Sequence, residues 1–353
     1  MRMSSPALLL LLAVSAFGQG PDPAFDGSAA PSRMDLPPPP PSAKGAPAGV
    51  PQDLGEAGAR LGTDAVLSHL APRPEADDFV FGVIGDAEPG RFPWERIFSP
   101  GRDTFRRELE ALKGAGPDFV VQLGDIVSEG NASNYRKVVG LLDSESQVPL
   151  LTVLGNHDRS RPNGDAEKTL HDAVFGPRDY FFDHGGWRFI CLDTSDRRLS
   201  KSQLDWLASA LKTDKRKAVF THVPPDYLKS VEPLPEVGPT MTEPVGPIDG
   251  ESTPSEDFFT GRFKDGAAEF DELVSNNGVA AVFMGHIHTF WAGDRRGVRY
   301  IITGGGGSPL YPMPPGYPRL RFAHFLSVEA GPGGLRETVH PMKGEAFVLP
   351  PVR

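Results

Sequence analysis

From Phe79 onward the chain alternates short apolar runs with amphipathic stretches. The runs at 79–84, 119–123, 150–154, 187–192, 218–220, 279–284 and 298–303 have the length and the β-branched or aromatic content of strands. Between them lie helical patterns. Phe105, Leu109 and Leu112 share one face of 103–114, a segment that stops at Gly114, Gly116 and Pro117. Ser200 and Gln203 are spaced as a capping box ahead of Leu204, Leu207 and Leu211. Phe263, Ala267, Phe270 and Val274 make a third apolar stripe, closed by Asn276, Asn277 and Gly278. All three stripes read as core. Strands alternating with helices predict an α/β fold with largely parallel pairing.

Two stretches depart from this pattern. Residues 19–75 are rich in Pro, Ala, Gly and Ser, with five consecutive prolines from Pro37 to Pro41. So few large apolar groups do not offset the entropy of ordering, which predicts a disordered, partly polyproline linker or a ligand for a Pro-binding module. Residues 223–261, dense in Pro and Glu, read as an inserted loop or lid. That leaves 76–345 as the folded domain. Ahead of the linker, Arg2, the apolar run 7–16 and the small residues Ala16 and Gly18 read as a signal peptide over 1–18. The expected product is secreted or periplasmic, and no run is long enough for a membrane span.

Composition narrows the chemistry. Cys191 is the single cysteine and sits within an apolar run, so a buried, inert thiol is expected and a thiolate metal cluster is excluded. A net charge of -10 argues against nucleic-acid binding by bulk electrostatics. An acidic chain that handles phosphate needs local positive charge, and metal ions can provide it.

The candidate ligands for such ions follow the strands. Gly85-Asp86-Ala87-Glu88, Gly124-Asp125, Gly155-Asn156-His157-Asp158, Thr221-His222 and Gly285-His286-Ile287-His288 each lie just beyond an apolar run. In open α/β sheets the carboxyl ends of strands form ligand sites, and the glycines permit tight turns and close backbone approach. Asp86, Glu88, Asp125, Asn156, His222, His286 and His288 make an oxygen and imidazole set suited to Mn, Fe or Zn. Seven donors exceed what one tetrahedral ion uses, so two divalent ions with a bridging carboxylate account for them.

These motifs, in this order over about 79–327, resemble those of the calcineurin-like metallophosphoesterases. The segments YFFDHGGWRFICLDT (180–194) and TGGGGSP (303–309) resemble the branch that includes purple acid phosphatases. The resemblance implies a four-layer α/β/β/α sandwich of two mixed sheets. It also implies hydrolysis of a small phosphate ester by a metal-bound hydroxide. Carried over by position, Asp86 and His288 would hold the first metal, Asp125 would bridge, and Asn156, His222 and His286 would hold the second. His157 would protonate the leaving oxygen or donate to the phosphate.

Three positions depart from the family pattern. Glu88 stands where a His is usual and either ligates the first metal or hydrogen-bonds its water. Ser128 stands where several members carry an Asp that orients the catalytic His, leaving Asp158 or a backbone carbonyl for that role. No Tyr follows Asp125, so a coloured iron site is not expected. Arg159 and Arg161 read either as phosphate binders or as parts of a solvated loop. Gly304–Gly307 lacks the Lys-Ser/Thr of a P-loop and reads as backbone crowded near the metals. His171, His184, His324 and His340 read as structural or surface residues, and Asn131-Ala132-Ser133 fits a glycosylation sequon. Against the hydrolase stand two other readings, a single-metal binding protein and an exported nuclease.

Overall fold

The apolar runs are continuous because each long strand buries side chains on both faces. The computed structural model describes residues 49–88, 101–145, 148–235, 237–238, 241–242, 261–310 and 320–352. Among them, β1 (Phe79–Ile84), β2 (Phe119–Gln122) and β3 (Leu150–Thr152) run parallel. Next to β1, antiparallel, come β12 (His324–Gly331), β13 (Gly334–Pro341) and β14 (Phe347–Val348), giving the sheet order β14-β13-β12-β1-β2-β3. The second sheet is built from β4 (Tyr180–His184), β5 (Trp187–Leu192), β6 (Arg216–Thr221), β8 (Val279–Met284), β9 (Phe290–Arg295) and β10 (Val298–Thr303). Its order is β4-β5-β6-β8-β10-β9, with parallel centre and antiparallel edges. Two short strands, β7 (Met241–Thr242) and β11 (Leu320–Arg321), pair separately.

The expectation of largely parallel pairing therefore holds for β1-β2-β3 and for β5-β6-β8-β10 but not for the remaining strands; the two mixed sheets of the sandwich are present. The antiparallel strands are hairpins or meanders whose mixed polar and apolar residues carry a weak pattern. β13, for instance, is half-buried or exposed along much of its length.

Alternation within each strand sorts the core into layers. Phe81, Phe119, Phe189, Phe220 and Phe283 face inward between the sheets. Phe81 stacks on Phe119 at 5.4 Å and meets Phe189 edge-on at 5.2 Å, so one ring bridges both sheets. Their neighbours face outward: Val120 toward helices on one side, Val219 and Val282 toward helices on the other. On the first side lie α3 (Gly101–Lys113) and α4 (Ala132–Glu145), with Phe105, Leu109, Leu112 and Leu142 buried. On the second lie α6 (Lys201–Ala210) and α7 (Ala267–Asn276). The Ser200–Gln203 capping box is formed, with Gln203 N donating to Ser200 Oγ at 3.3 Å and Ser200 N to Gln203 Oε1 at 3.1 Å.

The linker expectation fails over its last part. Residues Gln52–Leu61 form α1 and Thr63–His69 form α2. Leu54 and Ala57 are buried against α5 (Thr169–Phe175) and α4. Asp53 pairs with Arg136 and Arg60 with Asp143, both on α4. A composition count treats Ala and Gly as signs of disorder, whereas small residues let two helices approach closely. Residues 1–48 lie outside the described residues. The expected insert divides as well: Leu228, in a 3-10 turn at Asp226–Ser230, and Leu234 are buried against the second sheet, and 243–260 lie outside the described residues. No helix among the described residues is long and apolar enough to cross a membrane.

Candidate metal centre

The carboxyl ends of β1, β2, β3, β6 and β8 converge on one buried pocket. Asp86 follows β1, Asp125 follows β2, Asn156 and His157 follow β3, His222 follows β6, and His286 and His288 follow β8. Asp86, Asp125 and His286 adopt φ of 57°, 52° and 71°, left-handed values that are uncommon for residues with a Cβ. Such strain persists where the surroundings over-determine it and concentrates at functional sites. The backbone crowding is equally local. A Cβ at Gly285 would lie 2.5 Å from Asp86 Oδ2, and one at Gly304 would lie 3.0 Å from the same oxygen. Only glycine lets these loops close over the carboxylate.

Two groups of side chains present ligand atoms all within 4.8 Å of one another. One is Asp86, Asp125 and His288; the other is Asp125, His222 and His286. Asp125 belongs to both. Asn156 Oδ1 joins the second group, 3.1 Å from His222 Nε2, and Asp125 Oδ2 lies 3.2 Å from that nitrogen. His288 Nε2 is 3.5 Å from Asp86 Oδ1. Two tautomers are set by backbone acceptors: His222 Nδ1 donates to Leu123 O at 2.7 Å and His288 Nδ1 to Pro309 O at 2.7 Å. In the neutral rings, Nε2 then carries its lone pair into the pocket, the arrangement in which an imidazole ligates. Buried oxygens and preset imidazoles fit divalent cations such as Mn, Fe or Zn.

The electrostatics agree with that donor set. Burial alone would raise Asp125, but His222, His157 and His286 hold it far below the usual carboxylate range. Burial pulls His222 down, and Asp125 and Asp86 outweigh it, pushing His222 up to about 9. His286 is driven well below its ordinary value by burial and by the adjacent His222. A cation would replace protons that the apo pocket holds between these groups.

Glu88 belongs to neither ligand group. It is buried, its N–H donates to Asp125 O at 2.9 Å, and its carbonyl accepts from Ser308 Oγ. Its negative charge acts on His157 and His288, opposing the burial that would lower both. The role left open for an orienting partner of His157 falls to a backbone carbonyl: His157 Nδ1 donates to Ser128 O at 3.0 Å. Asp158 does something else. Its carboxylate accepts four backbone N–H groups, from Gly155 (2.8 Å), Asp125 (2.9 Å), Ile126 (2.9 Å) and Val127 (3.1 Å), and so clamps the loops after β2 and β3 together.

Both earlier readings of Arg159 are overturned. Its side chain is 2% exposed and is used internally, donating to Asn156 O, Pro162 O, Gly164 O and Asp196. Arg161 is exposed and donates to Asp165 O within its own loop. Cys191 is buried, as expected. His324 is buried, with Nδ1 donating to Phe322 O and Nε2 accepting from the Thr303 hydroxyl, a structural arrangement. No sequence signal marked the Ser128 carbonyl, since any residue supplies one. The clamp was foreshadowed only by the position of Asp158 next to His157.

A family model described as calcineurin-like phosphoesterase matches residues 79–290. The chain belongs to that family. The chain is 35% identical over 123 residues to a cAMP/cGMP dual specificity phosphodiesterase of Mycobacterium tuberculosis, covering 31% of this chain and 38% of that protein. It is 29% identical over 138 residues to a probable cyclic nucleotide phosphodiesterase of Fibrobacter succinogenes, covering 36% and 52%. The chain thus spans well under two thirds of the length of these curated relatives. Among solved structures, a purple acid phosphatase from yellow lupin (Lupinus luteus) superposes with a TM-score of 0.56 at 16% identity, over 80% of this chain and 55% of that one. This likeness concerns the fold, and it agrees with a calcineurin-like sandwich of two six-stranded sheets.

Proposed function

We propose that this calcineurin-like protein is an exported hydrolase of phosphate esters that works with two divalent metal ions. The observation that carries the reading is Asp125, whose carboxylate belongs to two ligand groups at once. Asp86 and His288 would complete one ion's shell, and Asn156, His222 and His286 the other's. Divalent ions held by these residues would supply positive charge for the phosphoryl oxygens and a water of lowered pKa.

The chain's own residues do the rest. The Ser128 carbonyl fixes the His157 ring by its Nδ1 hydrogen, so His157 Nε2 is the atom that can pass a proton to a leaving oxygen. The His157 N–H holds Asp125 Oδ1 at 2.7 Å, tying acid and bridging carboxylate into one unit. Asp158 keeps both loops in register. Burial of the pocket strengthens each of these interactions by excluding water.

Phosphodiesters are the substrate class we favour, with cyclic nucleotides first among them, because two relatives are named for that activity. Export rests on the apolar segment within residues 1–18 and would be checked by N-terminal sequencing of the mature protein. The deciding experiment is a screen of bis-nitrophenyl phosphate, nitrophenyl phosphate and cyclic nucleotides with Mn, Fe and Zn in turn, alongside metal analysis. Two metals per chain and turnover abolished by Asp125→Asn are expected. Full activity in that variant, or one metal with no turnover in any condition, would defeat the proposal.

A further inference from the structure

Strand β5 is parallel to β6 and opens at the same edge, with Leu192 in register with Thr221, the residue before His222. The loop that follows, 193–199, belongs to neither ligand group. It is nevertheless fastened to the metal loops more firmly than a connector to α6 requires. Val223 N donates to Thr194 Oγ1 at 2.8 Å, and that hydroxyl donates to Val223 O at 3.3 Å. Lys168 Nζ holds Asp193 at 2.6 Å and Asp196 at 2.8 Å. Asp196 also accepts from Arg159, whose Nε holds the carbonyl of Asn156 at 3.2 Å. Lys168 and Arg159 are 5% and 2% exposed. A buried chain of charges therefore links a metal-loop residue to the residue immediately before Arg197.

Arg197 is the product of that anchoring. Its N–H donates to Thr194 O at 2.8 Å, and its φ is 57°, a conformation that costs a residue with a Cβ roughly 1–2 kcal/mol. The side chain is exposed, unlike that of Arg159. Its guanidinium stands beside the ring of His286. A single carbon placed as a Cβ on Gly261 would lie 3.0 Å from His286 Nε2, 3.6 Å from Arg197 Cζ and 3.7 Å from Arg197 Nη2.

We infer that Arg197 grips the phosphoryl group of the bound ester, its guanidinium donating to a phosphoryl oxygen at the rim of the metal centre. This rests on the phosphoesterase reading above. The chemistry favours it on two counts. A guanidinium offers paired N–H donors that match the spacing of phosphoryl oxygens. The pocket also buries Asp86, Glu88 and Asp125 in a protein of net charge -10, so an anion entering it gains from a cation fixed at the rim. Anchoring through Asp196 and Thr194 sets the position of the arginine before substrate arrives, which lowers the entropy lost on binding.

The test is calorimetric titration of inorganic phosphate into the manganese-loaded protein, wild type against Arg197→Met, Arg197→Lys and Arg161→Met. Loss of a charge-assisted hydrogen bond should weaken phosphate binding roughly 10- to 100-fold in Arg197→Met, with the manganese content and Tm of the wild type. Arg197→Lys should recover part of the loss, and Arg161→Met should bind as wild type does. In turnover, Arg197→Met should raise KM for bis-nitrophenyl phosphate more than it lowers kcat. Phosphate binding by Arg197→Met within about twofold of wild type, or no phosphate binding by the wild type, would overturn the inference. Phosphate bound through Arg197 with no ester hydrolysed would uphold it while defeating the phosphoesterase reading.

Discussion

Replacing Asp158 by Asn isolates the clamp that holds the metal loops. In the native protein Oδ2 accepts from the N–H groups of Gly155 and Asp125, and Oδ1 from those of Ile126 and Val127. Asparagine keeps the shape but offers only one acceptor oxygen. Whichever way the amide turns, its NH2 faces two backbone donors that lose their partner in a site only 1% exposed. Each buried donor left unsatisfied costs roughly 1–3 kcal/mol, so two such losses amount to about 3–5 kcal/mol once some relaxation is allowed. The loop after β2 carries Asp125 in its left-handed conformation, φ 52°. Loosening it should also lower metal affinity by roughly 10- to 100-fold, the usual cost of removing an outer support. Urea unfolding followed by tryptophan fluorescence reads the first quantity, and calorimetric manganese titration the second. A variant within about 1 kcal/mol of wild type that binds manganese with wild-type affinity would refute the clamp.

Three further outcomes follow from the same geometry. His157→Ala should retain both metals and lose kcat by ~10²–10⁴-fold, with a smaller loss on nitrophenyl esters, whose leaving group needs little protonation; stopped assays on aryl and alkyl esters separate the cases. Glu88→Gln should still bind two metals per chain by elemental analysis, because Glu88 lies in neither ligand group; loss of one metal would restore Glu88 as a ligand. His324, depressed to about 4 by burial, stays neutral in the fold while the unfolded chain takes up a proton below its ordinary pKa of 6.5. Its contribution to stability is therefore present above about 6.5 and lost as pH falls toward 4, by about 2 kcal/mol between pH 7 and pH 5. Urea unfolding at both pH values should show a correspondingly smaller decrease for His324→Gln.

The sequence by itself determined the parallel strands and the candidate donors of the pocket. Runs such as 79–84 and 279–284 are apolar on both faces, and a strand buried on both sides leaves no other composition. The candidate ligands were legible because each sits one to four residues past such a run, at the edge where strand ends collect, and because Asp, Asn and His side chains are donors that suit divalent cations. The capping box at Ser200 was legible for the same local reason: both its partners lie within one turn.

What only the tertiary structure decided depends on contacts between distant segments. Helix α1 is held by Leu54 and Ala57 against α5 and by ion pairs to α4, none of which shows in a Pro-, Ala- and Gly-rich composition. Strands β12 and β13 take their places from antiparallel pairing with β1 and with each other, and the half-exposed sequence of β13 carries little periodicity. Arg159 and Arg197 are alike as residues, yet one is buried under Asp196 and the other is exposed beside His286, a difference set by where the loop after β5 meets the loop after β3. The sharing of Asp125 between two ligand groups belongs to this second class. The sequence can nominate a shared carboxylate, but Asp125 belongs to both groups only because two sheets, packed through Phe81 and Phe189, bring their strand ends to one place.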